Sequence, residues 1–413
     1  MTSVHPGVRR TTSPAYRWVV LAMSWAAFTM TSVDRSTWGP ASAAVSDSLG
    51  VPLAALGVFA TGYYLGYVVS NAGGGVLTDW LGPRRVLAAS GAAAGLAMIA
   101  FGSSTSLVVG LALQAAVGLF AGVDYAAGLK LISVWFEPGE RGLAAGVFMT
   151  ATSLGTVIAN AVVPSLIAAS GWGTSYHVFG ATTVGIALLC LLLVRNGSAH
   201  TPAGSRAMPD VRPLLRNRDL LLLGLAGFGG LWGTYGFVTW SNTLMVKGSG
   251  IDPVHAGLVV VIFASIAIAV KPVVGWVCDR LGLGLRLPVA VLLAYFGVVL
   301  LVFGTLDSLT WFLVVAPLLG IGAYAYSPLT AAMTPLLVDA RVAGSAAGGV
   351  NAFWQLGSVI VPAAIGPVFA ATGSFAAAFA ALAAGPLIGA VITLFIRVPA
   401  DASRPVRVEA ERS

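Results

Sequence analysis

Apolar stretches, each long enough to form a membrane helix, alternate with short polar connections from residue 16 to residue 396. A helix needs roughly 20 mostly apolar residues to cross a hydrocarbon core about 30 Å thick. By that rule the pattern predicts spans near 16–38, 52–76, 84–103, 107–134, 141–168, 174–194, 218–243, 255–278, 286–306, 310–335, 342–369 and 374–396. The expected fold class is therefore all-α integral membrane, with twelve transmembrane helices. The connections are short, as in an antiparallel bundle. The longest, 195–217, holds Pro202, Gly204, Pro209 and Pro213. It divides a six-helix half at 16–194 from a second at 218–396, with polar tails at 1–15 and 397–413.

Composition agrees with the pattern. Of 413 residues, 57% are hydrophobic and 9% charged, and the mean hydropathy is +0.90. A soluble domain carries roughly 25% charged residues, so this chain lacks the polar surface of one. Gly and Ala are abundant, as expected where membrane helices pack through small residues. Cys190 and Cys278 show no metal or redox spacing and read as inert helix residues. The apolar run after the basic first 15 residues is too long for a cleaved signal and reads as a retained first span.

The excess of 22 Lys and Arg over 15 Asp and Glu is scattered through short loops, which points to topology and not to nucleic acid. One set of loops and flanks holds Arg9, Arg10, Arg84, Arg85, Arg195, Arg206, Arg212, Arg216, Arg280, Arg286, Arg341, Arg397 and Arg404; the opposite loops hold Lys247. This bias places both termini and the central loop in the cytoplasm.

The halves repeat each other. Gly75-Val-Leu-Thr-Asp79-Trp-Leu-Gly82 is echoed 200 residues later by Gly275-Trp-Val-Cys-Asp279-Arg-Leu-Gly282, and Arg141 by Arg341. Two six-span halves in parallel repeat place a central cavity at their interface. Gly75, Asp79, Gly82, Arg84 and Arg85 resemble the loop 2–3 signature of the major facilitator superfamily, G-x-x-x-D-[RK]-x-G-x-[RK]-[RK], with Trp80 at a normally basic position. Gly275, Asp279, Arg280, Gly282 and Arg286 form the second copy. The resemblance implies the major facilitator fold and a structural or gating role for these loops. A narrower pattern runs through Asp34-Arg35, Ala41, Asp47-Ser-Leu49-Gly50, Gly62-Tyr-Tyr-Leu-Gly-Tyr67 and Gly74-Gly75. It resembles the anion:cation symporter branch, as do Trp135-Phe136 and Glu140-Arg141. Pro40 and Asp124 stand near, but not at, the positions of that branch's proline and span-four acid.

Charged side chains at mid-bilayer are costly and so are functional candidates. Away from their cytoplasmic boundaries the spans offer Asp34, Arg35, Asp124, Lys130 and Lys271, three cations against two carboxylates, a balance that favours an anion. Asp34 and Arg35 lie about 25 Å along the helix from Arg17; they either mark the outer end of span one or serve as proton carrier and carboxylate clamp. Asp124 is a coupling residue or a buried partner for a neighbouring cation. Lys130 can snorkel to the cytoplasmic side, whereas Lys271, about 12 Å before Asp279, lies deeper. Tyr63 and Tyr67, spaced i, i+4, share a helix face. Tyr235, Asn242, Asn351 and Gln355 complete the candidate substrate site, with Trp240, Tyr324, Tyr326 and Trp354 as further aromatic candidates.

No G-x-x-x-x-G-K-[ST] is present for an ATP-driven pump. His5, His177, His200 and His255 stand in the tail, in loops or near span ends, without metal spacing. The chain therefore does not read as an enzyme, and no cofactor or metal is expected. The main rival within transporters, a proton-coupled exporter, has the span-five pattern G-x8-G-x3-G-P-x2-G. Here Gly146 and Gly155 fit, but Ala159-Asn160 replace Gly-Pro. The expectation is a proton-coupled symporter for a small organic anion, working by alternating access as a monomer. Its setting is a bacterial inner membrane, with lipid and no nucleic acid among its partners.

Overall fold

The computed structural model describes residues 15–136, 140–197, 216–281, 284–338 and 343–398. These residues are almost wholly helical. The first half comprises α1 (Tyr16–Ser36), α2 (Trp38–Leu49), α3 (Leu53–Leu81), α4 (Pro83–Gly102), α5 (Leu107–Ala121), α6 (Asp124–Trp135), α7 (Arg141–Ser170) and α8 (Trp172–Leu193). The second comprises α9 (Arg218–Ser249), α10 (Pro253–Leu281), α11 (Arg286–Gly304), α12 (Leu309–Met333), α13 (Ala343–Thr372) and α14 (Phe375–Thr393). The amino-terminal tail, most of the central loop and the carboxy-terminal tail lie outside the described residues.

The helices make twelve rods, because α1 with α2, and α5 with α6, each continue through a single-rod junction. Between α1 and α2, Thr37 keeps helical angles and its N–H reaches the Val33 carbonyl at 2.9 Å. Pro40 has no N–H to give the carbonyl four residues back, which accounts for the interruption. Span one thus runs to Leu49 and not to residue 38, and Asp34 and Arg35 sit inside it. That removes their reading as markers of its outer end. Among the described residues, ten helices are long and apolar enough to cross a membrane; the two remaining rods, α1–α2 and α3, carry Asp34, Arg35, Tyr63 and Tyr67.

The 200-residue repeat extends to the helix ends. Leu53–Leu81 and Pro253–Leu281 match at both, and α2 and α9 each stop before a left-handed glycine, Gly50 and Gly250. The halves meet along α3 with α13, α7 with α10, and α2 with α9. Two of these seams rest on equivalent glycines. Gly57 lies against the Pro362 carbonyl and Gly257 against the Asn160 carbonyl, so tightly that a Cβ at either would collide with backbone. Small residues at such crossings let helices meet at backbone distance.

A set of side-chain hydrogen bonds joins the halves from mid-depth toward the end formed by α2 and the start of α3. Ser42 and Thr243 share one of 2.5 Å, Asn242 Nδ2 donates to Asn160 Oδ1 at 2.8 Å, and Thr61 donates to the Val359 carbonyl at 2.8 Å. Lys247 Nζ pairs with Asp47 Oδ1 at 2.8 Å. At the opposite, arginine-rich end, contacts knit each half to itself. Arg17 pairs with Glu140 at 2.6 Å, Arg84 Nε donates to the Leu191 carbonyl, and the Arg397 N–H donates to Asp219. Large apolar side chains such as Val108, Leu192 and Val291 point outward, the surface a bilayer would cover.

Candidate functional site

The site is organised by the two faces of α1. Residues three or four apart share a face of a helix, and here the faces do different work. Ser32 and Ser36 turn toward α7, donating to the Thr152 carbonyl at 2.6 Å and bonding Thr156 Oγ1 at 3.0 Å. Arg35 lies on this side, between the halves. Thr31 and Asp34 turn the other way, into the first half.

Arg35 is held by aromatic and hydroxyl groups. Its guanidinium lies 5.1 Å from the ring centre of Tyr235, an NH1 donates to the Tyr235 hydroxyl at 3.4 Å, and NH2 donates to Ser32 Oγ at 3.1 Å. Its Nε is buried without a partner. Tyr64 packs on Tyr235 at 5.4 Å and on Tyr63 at 5.5 Å, and Tyr63 stacks on Tyr67 at 6.1 Å. The shared face expected of Tyr63 and Tyr67 is present. It is set by α5, where a Cβ at Gly118 would strike the Tyr63 carbonyl and one at Gly122 would lie 2.5 Å from the Tyr67 carbonyl. Tyr63 and Tyr64, with Arg35, Trp38 and Gln114, line a small recess.

A larger cavity, of about 660 Å³ counting its open side, lies between α1, α7, α9, α10 and α12. Arg35 and Tyr235 line it together with Thr152, Thr156, Lys271, Tyr324 and Tyr326. Lys271 Nζ stands 5.2 Å from the ring centre of Tyr324. Among the described residues of the lining, none is acidic. The two cations of the cavity thus rest on aromatic faces, whose quadrupoles attract a cation without neutralising it.

The two carboxylates sit inside the first half. Asp124 accepts from Thr31 Oγ1 and from Ser90 Oγ, each at 2.7 Å. Asp34 accepts from Thr183 Oγ1 at 3.1 Å, and its Oδ2 is buried with no partner. Asp34 and Asp124 are each 2% exposed, and neither takes part in an ion pair among the described residues. The partners of Asp124 are hydroxyls, not the neighbouring cation that sequence offered as its alternative. A carboxyl among hydroxyls can hold a proton and then act as donor as well as acceptor.

Other candidates fall elsewhere. Lys130 reaches the Thr78 carbonyl at 3.5 Å, near the arginine-rich end of α3. Asn242 belongs to the seam with Asn160. Asn351 and Gln355 stand on α13 outside the lining of the larger cavity, and Gln355 Oε1 accepts from Ser358. Trp240 and Trp354 spend their indole N–H groups on the Pro362 and Leu223 carbonyls of their own half. In the loop signature, Gly82 takes a φ of 81° and the Arg84 N–H donates to Asn196 Oδ1 at 3.0 Å. Gly75, Arg85 and Arg280 are exposed. Asp79 lies on α3 and Asp279 on α10, with side chains outside the described part; Gly275 lies on α10, and Gly282 lies outside the described residues.

Sequence reading missed Thr31, Ser90 and Thr183, the partners of the acids, and Asn160 as a seam residue. Single hydroxyls within apolar spans carry no signal of their own until a helix crossing puts them beside a carboxyl.

A family model described as Major Facilitator Superfamily matches residues 24–362. The chain is 25% identical to the "Probable galactarate/D-glucarate transporter GudP" of Bacillus subtilis (strain 168), over 96% of this chain and 94% of that one. It is 22% identical to the "Probable sulfoacetate transporter SauU" of Cupriavidus necator, over 92% and 94%. It is 28% identical to the "Probable nitrate/nitrite transporter NarK2" of Mycobacterium tuberculosis, over 71% and 75%. Among solved structures it is similar to a bacterial homolog of the human lysosomal transporter Spinster, in an inward-facing and occupied conformation. There the TM-score is 0.75 at 15% identity, over 95% of this chain and 96% of that one.

Proposed function

The chain belongs to the major facilitator superfamily and is a multi-pass secondary transporter; from that premise we propose that it carries a small organic anion across the membrane together with protons. The observation that carries this reading is Arg35, placed between the halves in a cavity whose described lining holds no acidic residue. A guanidinium offers a planar fork that matches a carboxylate and stays charged at any working pH. The relatives named for galactarate and sulfoacetate support an anionic cargo. An excess of positive charge opposes a cationic one, which disfavours the drug-exporter alternative.

Proton coupling falls to Asp34 and Asp124. Both are buried in the first half without a cation, where a bare carboxylate would be costly, and both lie on or against the helix that carries Arg35. Loading and unloading them can therefore bias how α1 packs on α4, α6 and α8. The hydrogen-bonded seam closes one end of the protein, and the lining of the cavity runs from Val238 toward Met149 and the arginine-rich end. With that end cytoplasmic by its positive charge, the conformation is inward-facing, and both termini lie in the cytoplasm of a bacterial inner-membrane protein. The loops around Asp79 and Asp279 serve the conformational change, and one chain suffices for the cycle.

The test is uptake of organic acids by vesicles reconstituted with the purified protein. Accumulation should follow an inward proton gradient and collapse with a protonophore. Accumulation that survives the protonophore and follows sodium would overturn the coupling; export of cationic dyes with no organic-acid transport would overturn the cargo.

A further inference from the structure

Resting on the reading of the cavity as an organic-anion site, we propose that its cargo carries two acidic groups, one held by Arg35 and the other by Lys271. Both side chains line the same cavity. Each rests on a tyrosine ring and makes no ion pair among the described residues. The acids that sequence had set against them do not reach the cavity: Asp34 and Asp124 face hydroxyls inside the first half. A cargo with one negative charge would leave one cation uncompensated when the cavity closes over it during the transport cycle, which is costly. A dianion neutralises both.

The positions of the cations add a mechanical consequence. Arg35 belongs to the first half, and its repeat mate 200 residues on is Tyr235; Lys271 belongs to the second, and its mate 200 residues back is Asn71. Each half supplies one cation from a non-equivalent position, so the two ends of the cargo meet different hosts. Arg35 suits a planar carboxylate, while Lys271 is a point charge on a flexible stem. A dianion spans the halves and ties them together. A monoanion held on Arg35 alone leaves the second half without its contact.

The experiment compares succinate, tartrate and glucarate, each with its own half-amide, which keeps size and removes one charge. Binding to purified protein and uptake into vesicles are both read. Each diacid should bind about thirtyfold or more tightly than its half-amide, the size expected when one partner of a desolvated charge pair is lost. Lys271→Gln should shrink that preference to about threefold or less while half-amide binding persists, and Lys271→Arg should keep the preference. Half-amides that bind wild type as tightly as the diacids would overturn the proposal. So would a preference unchanged in a monodisperse, folded Lys271→Gln protein. If no diacid or half-amide binds wild type, the organic-anion reading itself falls, and this proposal with it.

Discussion

Arg35 and Tyr235 stand 200 residues apart, at equivalent positions of the two halves, and they touch. Equivalent residues of a twofold repeat can meet only on its axis. Asp47 and Lys247 are a second such pair, and Ser42 with Thr243 misses by one residue. The axis therefore runs down the seam of α1–α2 with α9. A cation on that line is shared by both halves, and any rocking between them changes its surroundings first. The proposed anion clamp would then lie on the line that relates the two halves.

The clamp can be separated from simple charge. Arg35→Lys keeps the cation but loses the fork, so binding of the organic anion should weaken by about tenfold, and Arg35→Ala should weaken it by about thirtyfold or more. Equilibrium binding to purified protein reads both, with a melting curve confirming the fold. Wild-type affinity in both variants would remove Arg35 from the site.

Asp124→Asn nearly preserves shape and leaves an amide oxygen for one of the two hydroxyl donors, but it cannot carry a proton. Uptake driven by a proton gradient should fall to background, while counterflow, which needs no net proton movement, should persist. Equal loss of both activities would mark Asp124 as a structural residue. Undiminished gradient-driven uptake would move the coupling to Asp34.

Asp79 stands three residues before Gly82 in the loop signature, far along α3 from Tyr63 and Tyr67. Asp79→Asn should lower turnover at least tenfold with substrate affinity within about twofold of wild type, as expected when a conformational step and not binding is impaired. Loss of binding in a folded variant would assign the loop to the site.

The fold was legible because membrane helices announce themselves by length and apolarity, and because the Gly75–Gly82 motif recurs at Gly275–Gly282. The cavity cations were legible for the same reason: a charge in a span has few explanations. What sequence could not give was direction. Asp34 and Arg35 are neighbours in the chain, yet successive residues on a helix diverge by about 100°, so one faces hydroxyls and the other the cavity. Lys130 reads as a lysine that can snorkel and Lys271 as a deeper one, and of the two it is Lys271 that lines the cavity between the halves. The length of span one also escaped, since Pro40 and the polar Ser42, Ser46 and Asp47 resemble a loop until α9 is present, with Thr243 against Ser42 and Lys247 against Asp47.

The seam offers the last prediction, and magnitudes decide which of its contacts matters. Asp47–Lys247 is the conspicuous one, but its side chains are 66% and 37% exposed, and exposed ion pairs contribute about 0–1 kcal/mol. Asn160–Asn242 is buried, with residues 1% and 3% exposed. Removing one amide strands its partner at a cost of about 1–3 kcal/mol. Both contacts join the halves at the closed end and would part if it opened, so each loss should favour the opposite conformation by its own amount. Asn242→Ala should therefore shift the population between the two states by about five- to 150-fold, and Asp47→Asn by about fivefold or less. Spin labels on α2 and α9 at the seam end would report the shift as a longer distance component, and salt should mimic Asp47→Asn without affecting Asn242→Ala. A larger opening from Asp47→Asn than from Asn242→Ala would show that the exposed pair, and not the buried amides, holds this end shut.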